Sequence, residues 1–556
     1  MLRKKLQEII TDILPTLAKK YGKEIPADLS FQIEKPKDAQ HGDFATDVAF
    51  KLSKVFKRSP WDIVQDMCGE VKSALAEDTK HTQCISDVSV ARPGFLNITM
   101  YNNTWGNVLC HIKEHEETFG ASSIGAGERV ILEYVSANPT GPLTIAHGRQ
   151  ACVGDALANI LKKAGYEVYR EYYLNDGGRQ IKLLGESTQA RYQEALNNTC
   201  VFPEEGYQGE YIRDIARMII DEKGETLKDT DSGEALSFFS HYAMDYLMKG
   251  IKKDLHDIGV HFDLFFSEQS LQGDKIDHIL KLLKKKKCLQ EKDGALWFLS
   301  TQFGDDKDRV LRKSDGTFTY VVPDIAYHRD KFERGFTRVI DLLGPDHHGY
   351  IKRLKAGAAA LGYDPEALTI LIVQLTTLYK NGEPLRMSTR AGEFISLRQL
   401  IDEVGADATR FFFLMRKIQS HLDFDLELAK EKSQDNPVFY LQYAHARIAN
   451  IITYSEKKVT KSVDLSLLKE SDEFELIKLL HEFPYQIAQT ARALEPYRLA
   501  DYLKDVAVLF HRFYAHHRVV TDDEELTNAR LLLCDAVRIV LRNGLEILGV
   551  SHPDEM

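Results

Sequence analysis

The stretch Glu133-Tyr-Val-Ser-Ala-Asn-Pro-Thr-Gly-Pro-Leu-Thr-Ile-Ala-His147-Gly-Arg149 constrains this chain most. An apolar run, Arg129 to Val135, precedes it and predicts a strand. Val153, Leu157, Ile160 and Leu161 follow at helical spacing, Gly165 ends the helix, and Tyr166 to Tyr173 predicts a second strand. The result is a βαβ unit with an imidazole at the mouth of the helix N-terminus. Such an end offers free N–H groups and a positive dipole, which suit a phosphate. Neither a G-x-G-x-x-G fingerprint nor a G-x-x-x-x-G-K-[ST] loop is present, which disfavours dinucleotide binding and P-loop hydrolysis.

A chain of 556 residues exceeds one core and predicts three or four domains. Apolar residues make up 44%, as in a globular protein, and no apolar run reaches the ~18 residues that span a membrane. The amphipathic segment Leu2 to Leu17, interrupted by Glu8 and Asp12, predicts a docked helix rather than a signal peptide. Seven scattered cysteines without a C-x-x-C pair argue against a zinc ribbon or disulfide framework and point to a reducing cytoplasm. The net charge of −11 does not exclude RNA, which feels local patches. Lys51, Lys54, Lys57 and Arg58 read equally as an RNA contact or a solvated face. Lys284 to Lys287 read as a helix end.

Residues 1 to about 110 alternate helical and strand patterns, as in an independent α/β module. An α/β domain is expected from about 111 to 400, interrupted at about 190–300 by a polar, mostly helical insertion. From about 401 to 556 the chain is helical; Val506, Leu509, Phe510 and Phe513 form one apolar stripe.

The central motif resembles the "HIGH" signature of class I aminoacyl-tRNA synthetases, and Ala137 to Leu143 is similar to its form in arginyl-tRNA synthetases. Ser314 to Tyr320 with Pro323 to His328, Gly344 to Tyr350, and Arg386-Met-Ser-Thr-Arg-Ala-Gly392 resemble that family's amino-acid pocket, adenosine-side loop and "KMSK" loop. His41 to Asp47, Arg92 to Asn97, Asn436 to Arg447 and Leu548 to Met556 match its terminal domains, in the family's order. The resemblance implies a Rossmann-like α/β catalytic domain, an N-terminal α/β domain that contacts tRNA and a C-terminal all-α anticodon-binding bundle. It implies a cytoplasmic monomer that joins L-arginine to tRNA(Arg), uses ATP with Mg²⁺ as substrate and needs no structural metal or membrane. The rivals are another nucleotidyltransferase of the same motif class and a tRNA-binding paralogue without catalysis.

Adenylyl transfer concentrates negative charge on the α-phosphate and on departing pyrophosphate, so positioned donors are the main requirement. By resemblance Thr144, His147, Arg386, Ser388 and Arg390 serve catalysis. Pro142, Thr144, Ala146, His147, Gly148, Asp346, His347 and Met387 hold ATP. Thr144 and Ala146 replace the family's His and Gly, so a charged donor is lost and a methyl is added. Arg386 and Thr389 replace the loop's lysines.

Arginine needs a carboxylate facing a planar five-donor fork. Asp324 is the first candidate, with Tyr320 placed to share its face in a helix or a strand. Tyr327 and Gln374 are further candidates, and Glu133, Ser136 and Asn138 are expected at the α-amino and carboxylate end. Two structural alternatives stay open: Asp324 as a helix cap after Pro323, and Glu133 as a structural carboxylate at a strand end. His347 and His348 would diverge on a strand, one facing the site and one packing. In the C-terminal helices Tyr440, Tyr443, Arg447, Tyr514 and His517 interleave aromatics with cations, as RNA-reading surfaces do, although most are expected in the core.

Overall fold

The computed structural model describes residues 2–36, 38–76, 84–228, 232–385 and 395–556. It comprises two compact units that do not follow chain order. The first joins Met1–His115 to Lys457–His481 and His517–Ala536, and the second holds Glu116–Glu456, Glu482–His516 and Val537–Met556. The helical part of the sequence is therefore shared between both bodies.

In the first unit α1 (Leu2–Tyr21) is followed by β1 (Ile33–Glu34), β2 (Phe44–Thr46), α2 (Val48–Phe56), α3 (Pro60–Ala76), β3 (Ile85–Ala91), β4 (Phe95–Met100) and α4 (Asn102–His115). The strands form an antiparallel sheet in the order β1-β2-β4-β3. Leu2, Leu6, Ile9, Ile10, Ile13, Leu14 and Leu17 are buried along one stripe of α1, as its amphipathic spacing requires. Phe44 stacks on Trp105 of α4, and the His481 ring meets both edge-on.

The second unit runs β5 (Arg129–Glu133), α5 (Ile145–Lys163), β6 (Glu167–Leu174), α6 (Gly178–Ala195), α7 (Glu210–Lys223), α8 (Ser232–Asp257), β7 (Leu264–Ser267), α9 (Asp274–Lys285), an antiparallel trio β8 (Leu289–Lys292), β9 (Ala295–Phe298) and β10 (Arg309–Arg312), then α10 (Val321–Glu333), β11 (Arg338–Leu343), α11 (Ile351–Leu361) and β12 (Leu368–Ile372). Its core is a parallel sheet in the order β12-β11-β5-β6-β7. Strand β7 falls within the expected insertion yet forms the sheet's edge. The order reverses between β5 and β11, and ligands of doubly wound sheets bind at that crevice, beyond the strands' carboxyl ends.

Val130, Ile131, Leu132 and Glu133 are all buried, as in a strand covered on both faces. Helix α5 packs so closely over the end of β5 that a Cβ on Gly154 would lie 2.3 Å from the Tyr134 ring. Arg410, 1% exposed, donates to the Ile258 carbonyl, the Asp155 carboxylate and the Leu548 carbonyl at 2.6, 2.6 and 3.0 Å. Gly549 makes this possible: its φ is +70°, and a Cβ there would fall 2.0 Å from Arg410 Nη2. Among the described residues no helix is long and apolar enough to cross a membrane.

Candidate active site

A cavity of about 580 Å³ opens at the switch point. Glu133, Ser136 and Asn138 approach it from the β5 end, Tyr320, Asp324 and Tyr327 from the start of α10, and Gln374 from the segment after β12. Ala146, His147, Asp346 and His347 line it too. Pro142 instead lines a second cavity with Tyr211 and Arg398. Gly148 is buried, and a Cβ there would meet Leu397 at 2.6 Å, so this glycine accommodates packing rather than facing the cavity. Thr144, half-buried, is the N-cap of α5 and forms a bridge with Ser396. Arg386, Met387, Ser388 and Arg390 lie outside the described residues.

Nδ1 of His147 is 3.2 Å from the Thr144 backbone nitrogen and 3.2 Å from its hydroxyl. A backbone N–H only donates, so Nδ1 accepts and the ring proton sits on Nε2. Burial lowers the His147 pKa to about 4. The group is thus a neutral N–H donor at the helix N-terminus.

Tyr320 is the N-cap of α10, 66% exposed, and its carbonyl accepts from the Asp324 N–H at 3.2 Å. Asp324 therefore stands in the first helical turn, one turn beyond Tyr320. The reading of Asp324 as a cap fails, because the helix already begins at Val321.

Beneath the pocket lies a charge network absent from the sequence reading. Lys331, fully buried, donates to Glu133 Oε2 at 2.6 Å and Asp341 Oδ1 at 2.8 Å. His328 spans the Asp324 carbonyl at 2.7 Å and Asp341 Oδ2 at 2.8 Å. With both nitrogens facing acceptors it is an imidazolium; burial opposes the charge, but Asp341 outweighs it and raises the pKa. Two carboxylates are thus matched by two cations. Glu171 is matched likewise by Arg334, through bonds of 2.6 and 2.8 Å, and accepts from the Tyr327 hydroxyl at 2.8 Å. Ser136 Oγ donates to Glu133 Oε1 at 3.0 Å and accepts from the Tyr173 N–H at 3.0 Å. Both Glu133 oxygens are therefore engaged within the protein, which favours the structural role left open for this residue.

Asp324 is different. Among the described residues its carboxylate makes no ion pair. Burial raises its pKa to about 7, with Glu133 and Glu268 adding to the shift and His328 and Arg353 opposing it. Glu268 is also raised by burial, against a hydrogen bond from Tyr173. In this corner Glu133 and Glu268 stand near Asp324 with His328 and Arg353 as the opposing positive charges, and among the described residues neither cation forms an ion pair with the Asp324 carboxylate.

Gly344 is followed by a 3₁₀ turn, Pro345–Tyr350, and not by a strand. His347 lines the cavity and tilts against Tyr350 at 5.0 Å, whereas His348 is exposed and does not pack as expected. The sequence reading also missed Arg149, which is fully buried and donates to the carbonyls of Gln374, Ser420 and Lys417 at 2.9, 3.0 and 3.0 Å. It ties α5 to the segment carrying Gln374. Tyr173 near the end of β6 and Asn175 just beyond it line the cavity as well; their place at the carboxyl end of a parallel strand was the available signal.

Residues 111–452 match the family described as tRNA synthetases class I (R), catalytic domain. Residues 2–100 match the arginyl tRNA synthetase N terminal domain, and 441–556 the DALR anticodon binding domain. The chain belongs to the arginyl-tRNA synthetase family. The arginine–tRNA ligase of Bacillus licheniformis is 45% identical over 529 residues, covering 94% of each chain. That of Syntrophotalea carbinolica is 46% identical over 530 residues, again covering 94% of each. The Thermus thermophilus arginyl-tRNA synthetase structure shares the fold over 100% of both chains, with a TM-score of 0.77 at 20% identity.

Proposed function

We propose that the chain is an arginine–tRNA ligase: it activates L-arginine with ATP and transfers the arginyl group to tRNA(Arg). The carrying observation is Asp324, a carboxylate at the cavity wall whose neighbours Glu133 and Asp341 are already neutralised. A guanidinium supplies the missing charge and is always protonated. Tyr320, Tyr327 and Gln374 complete its pocket, and Ser136 and Asn138 hold the α-amino end.

In the first step an arginine carboxylate oxygen bonds to the α-phosphorus. The bond from that phosphorus to the oxygen bridging the α- and β-phosphates breaks, and pyrophosphate leaves. His147, through its Nε2 proton, and the N-terminus of α5 donate to the phosphate oxygens, with Thr144 as a further donor. Ala146, Asp346 and His347 lie on the adenosine side. Mg²⁺ enters with ATP as substrate and shares the charge of the departing pyrophosphate. On the motif alone, Arg386 or Arg390 is assigned to that pyrophosphate, Ser388 to catalysis and Met387 to ATP. In the second step the 2′-hydroxyl of the terminal ribose attacks the arginyl carbonyl, loses its proton, and AMP leaves.

RNA binding is supported by a separate cavity of about 320 Å³ lined by Tyr443, Arg447, Asn450, Tyr454 and Tyr514. The Arg447 guanidinium lies 4.5 Å from the Tyr443 ring centroid and 5.0 Å from that of Tyr514. Tyr514 is exposed and Tyr443 half-buried, and aromatics stacked with a cation at a surface cavity suit unpaired bases. In this reading 1–110 and 401–556 serve tRNA and 111–400 the chemistry. The enzyme acts as a monomer in the cytoplasm.

The test is arginine-dependent ATP–pyrophosphate exchange and arginylation of tRNA by the purified chain. Arginylation with no other amino acid accepted supports the reading. No arginylation by folded protein that still binds tRNA would favour the paralogue without catalysis. Exchange driven by another acid would place it among other nucleotidyltransferases.

A further inference from the structure

The C-terminal end of α4 carries His111, Glu114 and His115, spaced i, i+3, i+4. Residues at that spacing are neighbours on one helix face. One ligand atom from each lies within 4.8 Å of the other two. The imidazole ring centroids are 4.0 Å apart. Two imidazoles and a carboxylate form a three-ligand zinc set that leaves a fourth position to water.

We infer that this face of α4 is a binding site for a divalent transition metal of the Zn²⁺ class. Tetrahedral zinc, with bonds of about 2.0–2.2 Å, needs its ligand atoms closer together than 4.8 Å. His111 is half-buried, while Glu114 and His115 are exposed, so the Glu114 carboxylate has room to rotate towards the two rings.

Three surrounding features favour a cation here. The Nδ1 of His115 donates to the His111 carbonyl at 3.0 Å, which fixes that ring and leaves Nε2 with its lone pair. The cluster occupies the C-terminal end of α4, where the helix dipole attracts positive charge. Lys113, at the same end, does not repel a metal from this face, because its ammonium is paired with the buried Asp535 at 3.0 Å. Among the described residues one competing group is Lys461, 3.3 Å from Glu114, and His481 is another, acting on His111. The Lys461–Glu114 pair is exposed on both sides and holds weakly, so a dication displaces it.

The site would tie the end of α4 together, which departs from the expectation of no structural metal. It is independent of the catalytic assignment, since none of its residues lines the active-site cavity.

The experiment is calorimetric titration of chelator-treated full-length protein with ZnCl₂, repeated with His111→Asn, Glu114→Gln and His115→Asn. Other histidines and cysteines can also take zinc, so the comparison between variants decides. The expected result is one saturable event per chain, weakened roughly tenfold or more in each variant, with unchanged circular dichroism and thermal midpoint in chelator. Zinc should also raise the thermal midpoint of the unsubstituted chain and not that of His115→Asn. The absence of a saturable event, or an event that persists unchanged in all three variants, overturns the site. Should one His variant fold poorly, Glu114→Gln on the exposed side supplies the comparison.

Discussion

The backbone N–H of Thr144 donates to Nδ1 of His147 at 3.2 Å, so the first residue of the motif fixes the tautomer of the fourth. Thr144 need not carry charge for this task, because the donor is its main chain. Thr144→Ala should therefore lower the arginine activation rate by about tenfold or less, the worth of one neutral side-chain hydrogen bond. His147→Ala removes the aimed N–H and should cost considerably more. Equal losses in steady-state exchange would show that the two positions rank otherwise.

His147 also makes a prediction about pH. Its folded pKa is about 4, below the ordinary value of 6.5. Between these values the unfolded chain takes up a proton that the folded site refuses. Stability from this group thus falls as pH drops from 6.5 towards 4 and is unaffected above. A urea midpoint for His147→Gln that varies less than wild type across that window is the expected outcome.

Asp324 behaves in the opposite sense. Its pKa of about 7 exceeds the ordinary 3.8, so without arginine the folded chain holds a proton that the unfolded chain has lost. This contribution to stability is present below pH 4 and is lost as pH rises towards 7. Arginine binding needs the ionised form. The KM for arginine should rise about tenfold per pH unit below 7, and calorimetry in buffers of different ionisation enthalpy should detect proton release. Asp324→Asn should raise that KM by ~100-fold or more while ATP affinity changes little. An unaltered KM would remove Asp324 from the guanidinium pocket.

Lys331→Met should be the most damaging exchange of those considered for folding. It strands Glu133 in the interior and leaves Asp341 with His328 alone, and breaking a buried pair costs about 3–5 kcal/mol. Chemical denaturation measures the loss. Adding Glu133→Gln to Lys331→Met should recover part of it, because one uncompensated charge is removed.

The RNA assignment is checked by Arg447→Ala and Tyr514→Ala. Losing a stacking platform is worth about 1–3 kcal/mol per base, or roughly 5- to 150-fold in tRNA affinity. ATP binding should be unchanged. The resemblance to the family implies that bound tRNA completes the activation site, so arginine-dependent exchange should be negligible without tRNA, appear with cognate tRNA and fall steeply with salt. Full exchange in RNA-free enzyme would refute that coupling.

The local pattern carried far in this chain. The strand-helix-strand of residues 129–174, the docked helix at Leu2–Tyr21 and the apolar stripe through Val506, Phe510 and Phe513 all follow from periodicity. What periodicity does not carry is pairing across distance. Lys331 and Glu133 are 198 positions apart, and nothing near either residue announces the other. Strand β7 has only four residues, too few to register an alternation, so its place on the sheet edge was hidden in a helical stretch. The turn at His347 and His348 misled for a related reason: a Pro-initiated 3₁₀ segment has no long-range period to read.

Arg410 also makes the order of synthesis matter. Its guanidinium waits for the Leu548 carbonyl, 138 residues later, and the surrounding space closes only around Gly549. A ribosome adding about 5–20 residues per second therefore extrudes the nucleotide-binding sheet well before that buried cation can be fully satisfied. A nascent chain that already possesses Asp324, His147 and the whole parallel sheet still lacks one acceptor for that guanidinium. Messages broken after codon 452 should yield proteolytic prey rather than a smaller enzyme.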